Sequence, residues 1–121
     1  MKISLKKTDK DWSRMVRERD GECLYCHRQP PYVLNAHHFM RRGVKSTRFM
    51  LENGVTLCFQ HHTVNHEFSA HKTPEAFTNW FKKTFPDRYK KVMLKARTPM
   101  SERQAKAEFE QLYAQQSAHS V

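Results

Sequence analysis

The sequence predicts a small α+β domain, and three features of its pattern predict it. Two short segments with strand character, residues 32–39 and 54–58, bracket a basic loop. The flanking stretches, residues 8–21 and those beyond 73, place apolar residues at helical spacing. Around the strands lie three cysteines and most of the eight histidines, at intervals that suit metal ligation. With 121 residues, one domain over positions 1–121 is expected. It divides into an N-terminal helix at 8–22, cysteine knuckles and strands at 23–69, and C-terminal helices at 73–116.

The first helix is expected over residues 8–21. Thr8 is in position to cap it, Asp9 and Asp11 suit the positive end of its dipole, and Trp12, Met15 and Val16 form an i, i+3, i+4 core stripe. Gly21 is the stop. A tight Cys23-Leu24-Tyr25-Cys26 knuckle follows, and Pro30-Pro31 force an extended exit. Tyr32, Val33 and Leu34 open the first strand. The loop at 40–50 carries Arg41, Arg42, Lys45 and Arg48 around Gly43. The second strand then runs into a helix expected to hold His61, His62 and His66, giving the order strand, loop, strand, helix.

Beyond this the pattern is helical. Thr73-Pro74-Glu75 combines a cap, a proline at the first helical position and an acid in the first turn. Phe77, Trp80, Phe81 and Phe85 form that helix's apolar side, and Pro86 ends it. Tyr89, Val92, Met93 and Ala96 line a second helix over 87–97. Ser101 and Gln104 stand in capping-box positions for a third, with Ala105, Phe109, Leu112 and Tyr113 along one face. These helices are expected to pack on the strands, with dimerisation through the last one as the alternative. The end, from about Ser117, is expected to fray.

Composition narrows the function. Hydrophobic residues make up 38% and mean hydropathy is −0.87, so the core is modest and a structural metal is a natural support. A net charge of +10 favours a polyanionic partner, nucleic acid first, because neutralising phosphates releases counterions. An anionic membrane is a poorer match, since no segment joins a basic face to an uninterrupted apolar one. The opening MKISLKKTDKDW has no signal-peptide core and no run approaches membrane-spanning length. A cytoplasmic setting is expected, in which thiols stay reduced.

Cys23-x-x-Cys26 and Cys58-x-x-His61 together offer three thiolates and an imidazole, a set suited to a closed, tetrahedral structural zinc. His61 is preferred as the fourth ligand because its two-residue gap repeats that of the first knuckle; His62 is the alternative. Cys23-Leu24-Tyr25-Cys26-His27 also matches a haem-attachment pattern. That reading needs an oxidising compartment and leaves Cys58 unexplained. Inert buried cysteines leave the spacings unexplained.

His37, His38, Asn53, His62 and His66 remain. With the two knuckles they form an ordered pattern: a C-x-x-C, a histidine pair ending the first strand, an asparagine before Gly54-Val55-Thr56-Leu57, then Cys58-x-x-His61-His62. Over residues 23–66 this resembles the HNH endonuclease family. The resemblance implies a ββα-metal (His-Me finger) nuclease core with a structural zinc, flanked here by an N-terminal helix and C-terminal helices. It also implies metal-dependent hydrolysis of DNA phosphodiester bonds, leaving a 3′-hydroxyl and a 5′-phosphate. His38 would be the general base. His37, His62 and His66 would hold one catalytic cation, His62 and His66 sharing a helix face at i and i+4. Asn53 would bond across the loop and keep His38 correctly turned. Adjacent strand residues point to opposite faces, which fits a division of labour between His37 and His38.

The chain departs from the common pattern at two positions. His61 stands where many relatives carry cysteine, and His37 where many carry an acid. An all-imidazole site suits Zn, Ni or Mn as well as Mg. Arg41, Arg42, Lys45 and Arg48 would clamp phosphates, while His27, His71 and His119 are assigned to surface or capping positions. DNA is the expected partner, and the resemblance extends this to packaging or recombination proteins of phages and mobile elements; a monomer or weak homodimer is expected. The alternative function is a non-catalytic zinc module that binds nucleic acid.

Overall fold

The first helix, α1 (Lys6–Asp20), crosses one face of a two-stranded antiparallel sheet of β1 (Leu34–His38) and β2 (Gly54–Cys58). The computed structural model describes residues 5–119, with side chains as far as Ala114. The strands are joined by a loop with two short 3₁₀ turns, Lys45–Thr47 and Leu51–Asn53. Three helices complete the described residues: α2 (Pro74–Thr84), α3 (Pro86–Ala96) and α4 (Glu102–His119). The described residues are thus α+β, as expected. Among the described residues no helix is long and apolar enough to cross a membrane.

Side-chain alternation along β2 decides which core each residue enters. Val55 and Leu57 face α2 and pack with Phe68, Phe77 and Phe81. Gly54 and Thr56 face α1, where the Thr56 hydroxyl donates to the Val16 carbonyl at 3.3 Å. Gly54 is required by close approach: a Cβ there would lie 2.3 Å from Val16 Cγ2 and 2.9 Å from Trp12 Cζ2. Trp12 and Val16 belong to a second core with Phe49, Ala105 and Phe109, which draws α4 onto α1 and the loop. The Trp12 indole donates to Met50 O at 3.0 Å. Arg19 donates to Leu51 O and Gly54 O at 2.7 and 2.8 Å, pinning the end of α1 to the start of β2.

Several local expectations change. The first helix begins two residues earlier than predicted, so Thr8 is not its cap but lies buried inside it. Gly21 does end it, in the left-handed region at φ 69°, with its N–H bonded to Arg17 O. Tyr32 and Val33 remain outside β1, at 60% and 68% exposure. Their β propensity finds no partner, because β1 pairs from Leu34, opposite Cys58, where β2 ends.

The helix expected after β2 is one π-helical turn, Gln60–Val64, closed by Asn65 N–H to Gln60 O at 2.8 Å. It stops because the Asn65 side chain accepts the N–H groups of Glu67 and Phe68 at 2.8 and 3.0 Å and turns the chain away. Thr73 precedes Pro74 as expected but directs its hydroxyl back to Ser69 O. The capping box at α4 forms in full: Ser101 N–H donates to Gln104 Oε1, and Gln104 N–H to Ser101 Oγ. The α4 backbone continues helically past Ser117; the His119 side chain lies outside the described ones.

Candidate metal centres

The cysteine knuckle is shaped by its backbone. His27 adopts φ 67°, so Cys23 N–H reaches Arg28 O at 2.9 Å and His27 N–H reaches Cys23 O at 2.8 Å. Leu24 N–H then hooks the turn onto β2 through Thr56 O at 2.9 Å. This carries Cys23 and Cys26 to Cys58 and His61, and the four ligand atoms lie within 4.8 Å of one another. Cys26 Sγ is 3.7 Å from Cys58 Sγ, and His61 Nδ1 is 3.2 Å from Cys58 Sγ. Two thiolates bound at about 2.3 Å to a tetrahedral ion lie ~3.8 Å apart, so the separation fits zinc. It is far too long for a disulfide.

Burial pushes the Cys26 thiol up to about 11. Burial acts the same way on Cys58, but the His61 backbone and its contacts with Cys26, Arg28 and Cys23 outweigh it and hold that thiol below its ordinary range. The Arg28 guanidinium, 3.7 Å from Cys58 Sγ, offsets the negative charge that three thiolates would gather. Cys23, Cys26, Cys58 and His61 sit close enough to hold a metal ion, compatible with a structural zinc. His27, the next residue of the haem-like string, instead points to Glu22 at the surface.

Strand alternation separates the histidine pair. His37, opposite Val55, faces α2, where its ring meets Phe77 edge-on at 5.2 Å. His38, opposite Gly54, faces α1 and stacks on Trp12 with centroids 3.9 Å apart. His38 Nε2 lies 2.9 Å from Arg48 O. A carbonyl only accepts, so Nε2 carries the proton and Nδ1 is the acceptor. Asn53 is fully buried and secures the loop that presents this carbonyl. Its Oδ1 accepts Met40 N–H at 2.6 Å, and its Nδ2 donates to Met40 O and Thr47 O at 3.0 Å. It thus bonds across the loop and reaches His38 through the neighbour of Thr47.

His37 Nδ1 and His62 Nε2 are 3.2 Å apart. Two nitrogens bound at about 2.1 Å to one ion lie ~3.0–3.4 Å apart, between octahedral and tetrahedral angles. The third imidazole here is His71: the ligand atoms of His37, His62 and His71 all lie within 4.8 Å of one another. His71 arrives because its N–H bonds to His62 O at 3.0 Å, beside an Ala70 N–H to His61 O bond at 2.9 Å. His66, expected on the same helix face as His62, is exposed on the bend beyond the π turn and lies outside this group. Burial, reinforced by the neighbouring imidazoles, lowers His37 to about 3; burial and His71 lower His62 to about 4. Both are neutral at pH 7, so an ion meets no imidazolium charge there, and a change of tautomer turns both lone pairs toward it.

An open cleft of about 740 Å³ exposes this face of the molecule and is lined by His37, His38, His62 and His71. Its rims are cationic: Arg41 and Arg42 on the loop side, Lys6 and Lys10 from α1 opposite. Lys6 and Lys10 share a helix face, but only the crossing of α1 over the sheet turns it toward the histidines. Arg48 is not free to take a phosphate, since it donates to both oxygens of Asp9 at 3.2 and 2.8 Å. Arg42 also reaches Asp9, at 3.2 Å, and Lys45 stands on the first 3₁₀ turn, away from the cleft lining.

Fold and site together define an α+β chain carrying one thiolate-rich and one imidazole-rich candidate metal centre beside a basic cleft. Compared with known proteins, the chain matches no family model, no curated protein and no solved structure.

Proposed function

We propose that this chain is a metal-dependent DNA endonuclease of the HNH type, built on a ββα-metal core whose helix is reduced to the π turn. One observation carries the proposal: a neutral His38 with a free Nδ1 shares a cleft with three convergent imidazoles. Phosphodiester hydrolysis needs a base for water and positive charge where the phosphate oxygens become more negative.

His38 takes the proton from water at Nδ1, while its Nε2–H stays on Arg48 O and holds the ring in that tautomer. Trp12 stacks on the ring and fixes its plane. Burial first, with Arg42 and Arg48 nearby, lowers His38 to about 4 although the Arg48 carbonyl opposes this; an arriving phosphate raises its proton affinity again. His37, His62 and His71 would hold the cation, which when bound supplies the electrophile for the developing charge. Arg41, Lys6 and Lys10 bind the flanking phosphates and Asn53 keeps the loop in register. Cys23, Cys26, Cys58 and His61 would hold a structural zinc, four protein ligands suiting a staple and not a reactive centre.

The test is relaxation of supercoiled plasmid by purified protein with Mg²⁺, Mn²⁺, Ni²⁺ or Zn²⁺. His38→Ala should slow cutting roughly 10²–10⁴-fold while DNA binding persists. Cutting at the parent rate would remove His38 from the role of base. A non-catalytic zinc module, the competing reading, leaves the imidazole cluster unused and predicts no second metal equivalent.

A further inference from the structure

We infer that the two metal centres are coupled: an ion at Cys23, Cys26, Cys58 and His61 is the positive effector of ion binding at His37, His62 and His71. The inference rests on the imidazole centre of the proposed function being a metal site. His61 and His62 are consecutive residues of one five-residue turn, and their rings part to different clusters. His61 Nδ1 lies 3.2 Å from Cys58 Sγ, and His62 Nε2 lies 3.2 Å from His37 Nδ1. The third imidazole hangs on the same turn, because the N–H groups of Ala70 and His71 bond to the carbonyls of His61 and His62. Two of the three nitrogen ligands therefore move with the turn, while His37 is fixed in the sheet.

Outside the two centres and the bonds from Ala70 and His71, little secures that turn. None of its residues is buried, and Asn65 N–H to Gln60 O closes it. The Thr63 hydroxyl bonds to Phe59 O within the same stretch. One turn with so few bonds and no fully buried side chain is marginal by itself. The His61 side chain ties it to Cys58 and to the edge of the Tyr25 ring, while its other side-chain tie, His62 to His37, belongs to the imidazole centre itself. An ion joining His61 to three cysteines anchors the turn to β2 through the knuckle. The second ion then finds His62 and His71 already placed and loses less of its binding energy to ordering them. Linkage makes the effect reciprocal.

Mn²⁺ is a suitable probe of the imidazole centre, since it binds more weakly than zinc across N, O and S sites and does not displace zinc from thiolates. Loss of the free-ion EPR signal would follow its uptake by full-length protein loaded with one zinc. His61→Ala leaves three thiolates for zinc but unties the turn, and should weaken Mn²⁺ binding about tenfold or more, within the roughly 5–150-fold span of such couplings. His61→Cys restores a fourth ligand and should stay within about threefold of the parent. In the parent, saturating Mn²⁺ should tighten zinc against a chromophoric chelator by the factor by which zinc tightens Mn²⁺, a readout that does not depend on how the variants fold. Equal Mn²⁺ affinity in zinc-loaded His61→Ala and parent, or zinc affinity indifferent to Mn²⁺, overturns the coupling and leaves the nuclease reading standing. If the parent shows no Mn²⁺ uptake that His37→Ala abolishes, both fall.

Discussion

At the scale of single residues, the histidines carry the sharpest consequences. His71→Ala should remove the second metal equivalent, whereas the exposed His66→Ala should keep it; metal analysis of zinc-loaded protein after Mn²⁺ or Ni²⁺ addition distinguishes them. Burial holds His37 near 3 and His38 and His62 near 4, below the roughly 6.5 of an unfolded imidazole. Between those values the unfolded chain binds protons that the folded chain refuses. Their contribution to stability is full above about pH 6.5 and is lost as pH falls toward 4, each extra proton steepening the slope by up to about 1.4 kcal/mol per pH unit. Thermal midpoints of metal-free protein should fall across that window, and His38→Asn should flatten the fall. Gly54→Ala tests packing instead. A methyl driven into Val16 and Trp12 should cost about 1–3 kcal/mol in urea titration and loosen the ring stack on His38.

At the scale of elements, the loop between the strands has two jobs, and its arginines divide between them. Arg41 lines the cleft and has no ion pair among the described residues, while Arg48 braces the loop to α1 through Asp9. Arg41→Ala should weaken DNA binding evenly across sequences and reduce the slope of log K against log salt by about 0.9, the release expected for one phosphate. Arg48→Ala should mainly lower stability, leaving Asp9 with Arg42 alone. Paired salt titrations and melts separate the two roles. The Asn53 bonds belong to this scale too, since they tie Met40 to Thr47 and so decide where the Arg48 carbonyl meets His38.

For the whole molecule, the two cores meet at a sheet of only two strands, and the knuckle hangs on one edge of it. A chain of this polarity would gain much from four coordinate bonds at that edge. Stripping the thiolate-held ion with a strong chelator should lower the thermal midpoint by more than about 10 °C, followed by circular dichroism with metal content measured in parallel. An unchanged melt would show that Cys23, Cys26, Cys58 and His61 are packed side chains and not a metal staple.

The ligand inventory was legible because it is local. Cys23-x-x-Cys26 and Cys58-x-x-His61 state their geometry in gaps of two residues, and the structure gathers those four side chains. The strand Gly54–Cys58, the Gly21 stop and the Ser101–Gln104 box were legible for the same reason. His71 was not. Its approach to His62 depends on a π turn broken by the Asn65 side chain, which no periodicity encodes. Lys6 and Lys10 were hidden similarly, since a helix pattern shows which residues share a face but not what that face meets.

By itself, then, the sequence determined the residue chemistry and the short elements, because spacings of a few residues and backbone preferences set them. Only the tertiary structure decided that His71 and not His66 joins His37 and His62, and that Arg48 serves Asp9 and not the cleft. The first meeting rests on the π turn and its break at Asn65, and the second on the crossing of α1 over the sheet, which packing of Trp12 and Val16 against Gly54 settles; neither is written in spacings along one element.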